Sequence, residues 1–424
     1  MDSIFKGKKI GIWGFGKTGQ SILGFLSHHT SDFFIFETNE LDNFQKAIIE
    51  GHHAQVVAPD LLPQFLELCD IIIASPGVDL RPYLAPELEL RHKLITELDL
   101  FSLYVKKPVI AITGSVGKTT IVHLLTQFLI TLGKKAIAAG NIGMPMLDIL
   151  ATQHQYDYII LELSSFQLEY CTHFRPNIAV ITNLYPNHLD RHTDMYAYLE
   201  AKGKLLAHQQ ETDRAILPMI LIDELWPFLG KQKVTWVSQD AYADIIPLLS
   251  DITCKENLQL IFAIIEELEL DTHELFGKTN NISLPEHRME LVGTYHDITF
   301  YNDSKATIGA STLQAAFNMQ QPTILMLGGL SKGANREELI KLLPKKIKFI
   351  VCFGKEAEQL NNWCQQTGLA SQATDTLEAG FEIALKNALP GDAILLSPAG
   401  SSYDLFKNYE ERGKLFKKLV HATE

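Results

Sequence analysis

Short apolar runs, each ending in a glycine-rich or polar turn, recur along the chain and alternate with segments of helical spacing. In the first hundred residues the apolar runs cover 9–13, 32–38, 54–57 and 69–77, and residues 21–26 have helical spacing. Continuous apolar runs of this length predict buried strands. Because strands and helices alternate, we expect a parallel sheet covered by helices.

The same alternation occurs twice more. The later strand patterns and one long helical pattern cover residues 110–113, 158–165, 178–183, 256–270 (the helix), 298–304, 323–329, 349–354 and 393–398. A chain of 424 residues also exceeds what one hydrophobic core usually supports. The prediction is three α/β domains, over 1–96, 97–285 and 286–424, and the second is expected to contain a parallel sheet.

Charge and cysteine content narrow the class of protein. The net charge of -13 argues against non-specific binding to nucleic acid, so an anionic substrate would need local N–H groups, lysines or metal ions. The five cysteines are scattered, with no C-x-x-C pair, which indicates neither a disulfide framework nor a zinc site. The polar start and the lack of a 20-residue apolar stretch predict a cytoplasmic protein that does not bind membranes.

The most informative segment is the strand, glycine turn and helix start at residues 110–120. Gly114 and Gly117 allow backbone N–H groups to face an anion, Lys118 adds a positive charge, and Thr119 offers a hydroxyl to Mg²⁺. The loop is shorter than G-x-x-x-x-G-K-[ST], so an ordinary glycine turn is the alternative. We interpret it as an ATP phosphate site.

A second glycine turn lies in the first domain. Gly14, Gly16 and Gly19 form G-x-G-x-x-G, and Glu37 ends the next strand, where dinucleotide folds place a ribose-binding acid. The pattern is compatible with NAD, with another diphosphate nucleotide such as a UDP-sugar, or with a tight turn that only packs a helix on a strand. Spacing does not separate the three.

Three single residues that come after the phosphate loop in the sequence are candidates for the site: Glu162 and His188 at the ends of strands, and Lys202 on a helix. Glu162 ends an apolar strand, where an acid commonly holds Mg²⁺, although a solvated strand-end acid is the alternative. By its own pattern His188 is a surface or capping histidine, and Lys202 is a solvent-facing lysine on a helix.

Polar clusters also occur in the third domain: residues 287–288 follow a proline at its start, residues 302–307 form one turn, and residues 328–333 and 397–404 each follow a strand. Each could be plain loop chemistry. Ligands of α/β proteins bind at the carboxyl ends of strands, so the clusters together predict a composite site between domains.

Several motifs occur in one order: Gly114-Ser-Val-Gly-Lys-Thr-Thr, Glu162-Leu-Ser-Ser-Phe-Gln-Leu-Glu, His188-Leu-Asp-Arg-His, Asn302-Asp-Ser-Lys-Ala-Thr, and Phe406-Lys-Asn-Tyr-Glu-Glu-Arg-Gly. With them the chain resembles the Mur ligases of peptidoglycan synthesis along its whole length. The resemblance implies a monomeric enzyme that uses ATP and two Mg²⁺ ions to join D-glutamate to UDP-N-acetylmuramoyl-L-alanine through an acyl phosphate. It also turns the first glycine motif away from NAD. The fold that it implies is a Rossmann-like first domain, a P-loop-type ATPase middle domain with a parallel sheet, and a Rossmann-like third domain.

The resemblance assigns roles residue by residue. The ATP contacts it implies are Gly114, Ser115, Gly117, Lys118, Thr119, Thr120, Asn257, Arg288 and Asp303. The UDP-substrate contacts are Phe15, Gly16, Lys17, Thr18, Glu37, Thr38, Ser75, Pro76, Gly77, Asn141 and Gln167. The D-glutamate contacts are Thr307, Lys332, Ser402, Tyr403 and Tyr409. The catalytic residues are Lys118, His188, Lys202 and Lys305. The metal ligands are Thr119, Glu162, His188 and Lys202, the last once carbamylated.

The chain departs from the family pattern at five positions: Val116, Asn187 and Ile308 in loops of the site, Cys254 on the adenine side, and Asn39 near the uracil. None of them replaces the phosphate-loop lysine, the strand-end glutamate or the two histidines. Activity is therefore expected, with looser ATP binding or a stronger Mg²⁺ dependence. The alternatives are a sister ligase for another amino acid or a folate, and a nucleotide-binding regulator without catalysis. The third domain is expected to rotate to close the site.

Overall fold

The computed structural model describes residues 4–30, 32–84, 90–188, 191–248, 253–275, 277–278, 282–331 and 335–423. Within these ranges the chain forms three α/β domains in sequence, each built around its own sheet, as predicted. The exact domain borders stay a prediction. Every helix in the described ranges is too short or too polar to span a bilayer.

The first domain is a five-stranded parallel sheet in the order β3-β2-β1-β4-β5. Its strands are β1 Ile10–Trp13, β2 Phe33–Phe36, β3 Gln55–Val57, β4 Ile71–Ala74 and β5 Leu94–Thr96. Its helices are α1 Lys17–Leu26, α2 Asn43–Gly51, α3 Leu62–Leu68 and α4 Leu90–Lys93, and α5 Glu97–Tyr104 leads into the next domain. The central strands β1 and β2 are buried along their whole length, which explains why they lack an apolar–polar alternation.

The middle domain is a six-stranded parallel sheet in the order β11-β10-β9-β6-β8-β7. Its strands are β6 Val109–Thr113, β7 Ala136–Gly140, β8 Tyr158–Glu162, β9 Ile178–Ile181, β10 Arg214–Pro218 and β11 Lys233–Val237. Its helices are α6 Lys118–Thr131, α7 Ser165–Glu169, α8 Met195–Ala207, α9 Ile222–Leu225 and α10 Lys255–Glu267. Helix α10 is the predicted helix at 256–270, and it ends three residues earlier. The phosphate loop follows β6, a central strand of this sheet.

The third domain has a mixed sheet in the order β12-β13-β17-β14-β15-β16, in which only the edge strand β12 runs antiparallel to its neighbour. Its strands are β12 Glu290–Tyr295, β13 Ile298–Asn302, β14 Thr323–Gly328, β15 Ile347–Phe353, β16 Ser371–Thr374 and β17 Ala393–Leu396. Its helices are α11 Gly309–Asn318, α12 Arg336–Lys341, α13 Ala357–Gln366, α14 Leu377–Asn387 and α15 Tyr409–His421.

The first two domains share a continuous hydrophobic core, which includes Ile12 of β1 and Ala111 of β6. Polar contacts reinforce this junction: Ser21 donates to Asp148 at 2.5 Å, and Arg191 donates to the carbonyl of Val78 at 2.8 Å. The first glycine motif and the phosphate loop are therefore held on one packed unit.

Candidate active site

The phosphate loop joins β6 to α6, and two of its positions accept only glycine. Gly114 has φ +141° and Gly117 has φ +88°, a region that other residues rarely adopt. A Cβ atom on Gly114 would lie 2.0 Å from Oγ1 of Thr182, and one on Gly117 would lie 2.6 Å from Oδ1 of Asn257. Both glycines therefore allow a close approach of neighbouring side chains to the loop.

Residues that follow strand β9, together with Tyr198 of helix α8, fix the conformation of the phosphate loop. The hydroxyl of Ser115 donates to the carbonyl of Tyr185 at 2.9 Å and lies 3.1 Å from the hydroxyl of Tyr198. The backbone N–H of Val116 donates to Oδ1 of Asn183 at 2.8 Å. Sequence reasoning missed Asn183, Tyr185 and Tyr198, because only the fold brings them to the loop.

Two lysines converge beneath the loop. Nζ of Lys118 donates to the carbonyls of Gly114 at 2.7 Å and Ser115 at 3.1 Å. Nζ of Lys202 donates to the same Gly114 carbonyl at 3.0 Å and lies 3.3 Å from Oγ1 of Thr113. Burial lowers the pKa of Lys118, and it lowers the pKa of Lys202 well below its usual range, with added repulsion from Lys118 and opposition from Glu162.

The expectation that Lys202 is a solvent-facing helical lysine, drawn from its local sequence, was wrong. Its side chain is not solvent-facing but only 1% exposed, and its ammonium lies 4.5 Å from the ring centroid of Tyr198. Helix α8 packs against β6 and β9, so the face that carries Lys202 is covered by the sheet and the loop. A buried amine in this position favours the neutral form that reaction with CO₂ requires.

Glu162 has the surroundings expected of a cation ligand. The carboxylate is 2% exposed at the end of β8, and Oε1 accepts a hydrogen bond from Nδ2 of Asn141 at 2.8 Å. Oε2 is buried without a hydrogen-bond partner among the described residues, an arrangement that is costly unless a cation or water satisfies it. The oxygen-donor chemistry of Glu162, with Thr119 buried at the start of α6, fits Mg²⁺. In the described part of the chain, no three His, Cys, Asp or Glu side chains form a metal-binding group.

His188 lies in a half-buried loop, not on an open surface. Its φ is +56°, and its ring lies edge-on to Phe166 with 4.7 Å between centroids. The backbone N–H groups of Arg191 and His192 both donate to its carbonyl. This turn places the imidazole beside α7, close to the junction with the first domain, and its predicted metal role stays a prediction.

The third domain contributes acidic and basic groups to the same region. Burial raises the pKa of Asp303 to about 6, opposed by Arg288 and by the hydroxyl of Ser397, which donates to it at 2.8 Å. Burial also lowers the pKa of Lys305 to about 8; Glu162 opposes this shift, whereas Arg288 and Lys118 add to it. Since Glu162 and Lys118 belong to the middle domain, the charges of the two domains converge.

Two cavities open from the phosphate loop between the middle and third domains. One, of about 610 Å³, is lined by Gly117, Asn257, Arg288 and Asp303, four of the predicted ATP contacts. The other, of about 1040 Å³, extends from the same loop towards α11 and α12. The predicted ATP residues of two domains are thus brought together, and Thr120 also lines the smaller cavity.

The predicted UDP-substrate residues divide into two groups. In the first domain, the N–H of Phe15 donates to Glu37 at 2.7 Å and the hydroxyl of Ser75 donates to the carbonyl of Gly14 at 2.9 Å. Burial tends to raise the pKa of Glu37, but hydrogen bonds from backbone N–H groups outweigh it and lower the pKa. Gln167 of the middle domain shares a small cavity with Ser75. The other predicted contacts of the first domain are Gly16, Lys17 and Thr18 at the start of α1, the exposed Thr38, Pro76 in that small cavity, and Gly77. The other predicted contact of the middle domain is the exposed Asn141.

Fewer of the residues predicted to bind D-glutamate are brought together than of those predicted to bind ATP. Lys332 lies outside the described residues, and Tyr403 is 71% exposed. Ser402 is buried, and the ring of Tyr409 lies 5.2 Å from Nζ of Lys305. Thr307 is half-buried on the same turn as Lys305.

Two buried arginines that the sequence did not reveal brace these loops. Arg412 is fully buried and donates to the hydroxyl and the carbonyl of Ser304, at 3.0 and 2.7 Å, and to the carbonyl of Gly400 at 3.1 Å. Arg336 donates to three carbonyls, including that of Pro398 at 2.8 Å. Arginine is rarely buried, so no pattern in the sequence indicates these contacts.

Comparisons with known proteins place this geometry in a family. Three family models match the chain in order: "Mur ligase MurD-like, N-terminal domain" over 8–92, "Mur ligase middle domain" over 112–281, and "Mur ligase, glutamate ligase domain" over 287–400. A UDP-N-acetylmuramoylalanine--D-glutamate ligase of Koribacter versatilis is 31% identical over 455 residues, which cover 98% of this chain and 97% of that protein.

Solved structures agree in fold. A pseudomurein peptide ligase type C from Methanothermus fervidus matches with a TM-score of 0.58 at 15% identity, covering 99% of this chain and 100% of that one. A MurF ligase from Thermotoga maritima, solved in complex with ADP, matches with a TM-score of 0.57 at 14% identity, covering 86% of this chain and 92% of that one. The fold and the near full-length relative lead to one conclusion: the chain belongs to the Mur ligase family.

Proposed function

We propose that this protein joins D-glutamate to UDP-N-acetylmuramoyl-L-alanine in the synthesis of peptidoglycan precursors, with ATP converted to ADP and phosphate. One observation carries the proposal: Lys118, Lys305 and Arg288 converge with Glu162 where the middle and third domains meet. This is the charge distribution that a transferring phosphoryl group requires. The near full-length relative with this activity supports the choice of substrates.

The first step activates a poor electrophile. A carboxylate oxygen of the UDP substrate attacks the γ-phosphorus of ATP, the bond to the bridging oxygen breaks, and ADP leaves with that electron pair. Lys118 on the loop and Lys305 from the third domain stabilise the negative charge on the phosphoryl oxygens. The product is an acyl phosphate, whose phosphate is a far better leaving group than an oxide.

The second step forms the amide. The neutral amine of D-glutamate attacks the acyl carbon, and the tetrahedral intermediate expels phosphate as the amine loses its proton. Ser402 and Thr307 lie on third-domain loops that would bind the amino acid, together with Tyr409 at the start of α15, whose ring lies near Lys305. Placing these loops on a separate domain favours a closing rotation of that domain once ATP is bound.

Glu162 and Thr119 would hold a Mg²⁺ ion, which supplies positive charge to the phosphate oxygens when bound. His188 would contribute to a second ion. Burial favours the neutral amine of Lys202, so its Nζ could attack CO₂ and lose a proton, and the resulting carbamate would place an anion where the neutral amine lies and could serve as a further metal ligand. We extend the proposal to a monomer that works in the cytoplasm.

Phosphate release measured with one amino acid at a time tests the proposal. With ATP, Mg²⁺ and UDP-N-acetylmuramoyl-L-alanine present, release should depend on D-glutamate and not on L-glutamate or L-lysine. Turnover with a different amino acid would favour a sister ligase.

Lys118→Ala should lose nearly all turnover, since it removes the loop ammonium. Lys386→Ala, which removes an exposed lysine on α14, is the matched control and should keep the wild-type rate. A protein that binds ATP but never releases phosphate, with Lys118 intact, would instead support a regulatory role.

A further inference from the structure

The two cavities that open from the phosphate loop share one wall. Both begin at Val116 and Gly117, and both include Cys254, Asn257 and Gln314. A nucleotide whose phosphates lie on the loop must extend its base into one of these cavities. Whichever cavity it occupies, the base lies beside the shared wall. The inference drawn from this wall rests on the nucleotide site of the proposed function.

Within this wall, Gln314 forms a hydrogen bond between the third and middle domains. It lies on α11 of the third domain, and its Nε2 donates to Sγ of Cys254, the N-cap residue of α10 in the middle domain, at 3.0 Å. Burial raises the pKa of Cys254 to about 12, so the partner is a neutral thiol. Thiols are weak acceptors, which makes this bond easy for a ligand to displace.

The chemistry of the carboxamide fits one nucleobase better than another. A glutamine side chain offers adjacent donors and an acceptor, and adenine presents the complementary pair at N6 and N7. Guanine presents two acceptors on the same edge, which would leave the carboxamide oxygen facing an acceptor. A second carboxamide, that of Asn318, lies one helical turn further along α11 and lines both cavities.

We propose that Gln314 is a specificity residue that reads the base of ATP from the third domain. The bond to Cys254 holds the carboxamide across the cleft, and the base replaces the thiol as its partner. Recognition of adenine then engages the third domain directly. A base that the carboxamide does not match would bind the loop through its phosphates without this contact.

The variant Gln314→Ala tests the assignment, with Gln365→Ala on the exposed side of α13 as a matched control. Calorimetric titration of the full chain with ATP or GTP, each with Mg²⁺, measures base preference independently of ligation. Gln314→Ala should weaken ATP binding about tenfold, the equivalent of one to two hydrogen bonds, and change GTP binding less than about twofold. Gln365→Ala should match the wild type.

Two results would overturn the assignment. One is an ATP affinity in Gln314→Ala that equals that of the wild type. The other is an equal loss of both nucleotides, which would indicate a local structural change and not base recognition. Failure of the proposed function would give a different result. A chain that binds ATP in preference to GTP but releases no phosphate would still support the role of Gln314 and would contradict the proposed ligase activity.

Discussion

Lys305 should lose its proton at a lower pH than an ordinary lysine, and the reaction should slow as it does. Burial lowers the pKa of Lys305 to about 8, with repulsion from Arg288 and Lys118 adding to the effect. The proposed role requires the charged ammonium next to the transferring phosphoryl group. Because the pKa is lowered, the active charged form is present below pH 8 and is lost as the pH rises through 8.

The size of the effect follows from a single ionisation. With a pKa near 8, the charged fraction falls about fivefold between pH 8 and pH 9, and kcat/KM for ATP should fall with it, because that parameter reports ionisations of the enzyme before ATP binds. The measurement is initial phosphate release from pH 6 to pH 10, with the UDP substrate and D-glutamate saturating at each pH.

Substitution separates Lys305 from other groups that ionise in this range. Lys305→Arg keeps a positive charge at all of these pH values, so its alkaline limb should move above pH 9 even if the maximal rate is lower. Lys386→Arg should reproduce the wild-type profile. If Lys305→Arg keeps the wild-type alkaline limb, another group causes the loss of rate and the reasoning about Lys305 is wrong.

Three further predictions concern the loop, the metal and the domain junction. Gly117→Ala should lower kcat/KM for ATP by about 100-fold, because the new Cβ would lie 2.6 Å from Oδ1 of Asn257; Gly368→Ala, which also has a positive φ but open space around it, should reduce stability alone. Glu162→Gln should raise the Mg²⁺ concentration for half-maximal rate about tenfold, and an unchanged Mg²⁺ dependence would remove Glu162 from the metal site. Glu97 is buried at the start of α5, where the chain passes from the first domain to the middle domain, and burial together with repulsion from Asp148 raises its pKa to about 8. Folding therefore takes up a proton, and the free energy of unfolding falls as the pH rises from about 4 to 8. Glu97→Gln removes that proton uptake, so its Tm should exceed the wild-type Tm by several degrees at pH 8 and by less at pH 5; a difference that is the same at both pH values would contradict this account.

Local sequence patterns predicted the parts of the site that depend on local structure. The phosphate loop lies between a buried strand and a helix, as its glycines and apolar run indicated, and Glu162 ends a buried strand. The three α/β domains also followed from the alternation of apolar runs and helical spacing. These features depend on neighbours in the sequence, so the sequence is enough to place them.

Features set by packing between distant elements escaped prediction. Lys202 lies on a helix with no distinctive local pattern, and only the packing of α8 on the sheet buries it. Arg412 braces a loop more than 100 residues away, and Gln314 reaches Cys254 across two domains. No spacing rule encodes contacts of this kind, since each depends on how whole elements pack.

Phosphate release with UDP-N-acetylmuramoyl-L-alanine, ATP and Mg²⁺, compared with and without D-glutamate, tests the central claim most directly. The account predicts release that requires D-glutamate, yields one ADP per amide formed, and disappears in Lys118→Ala. Release that ignores D-glutamate but responds to another amino acid, or no release despite measurable ATP binding, would contradict it.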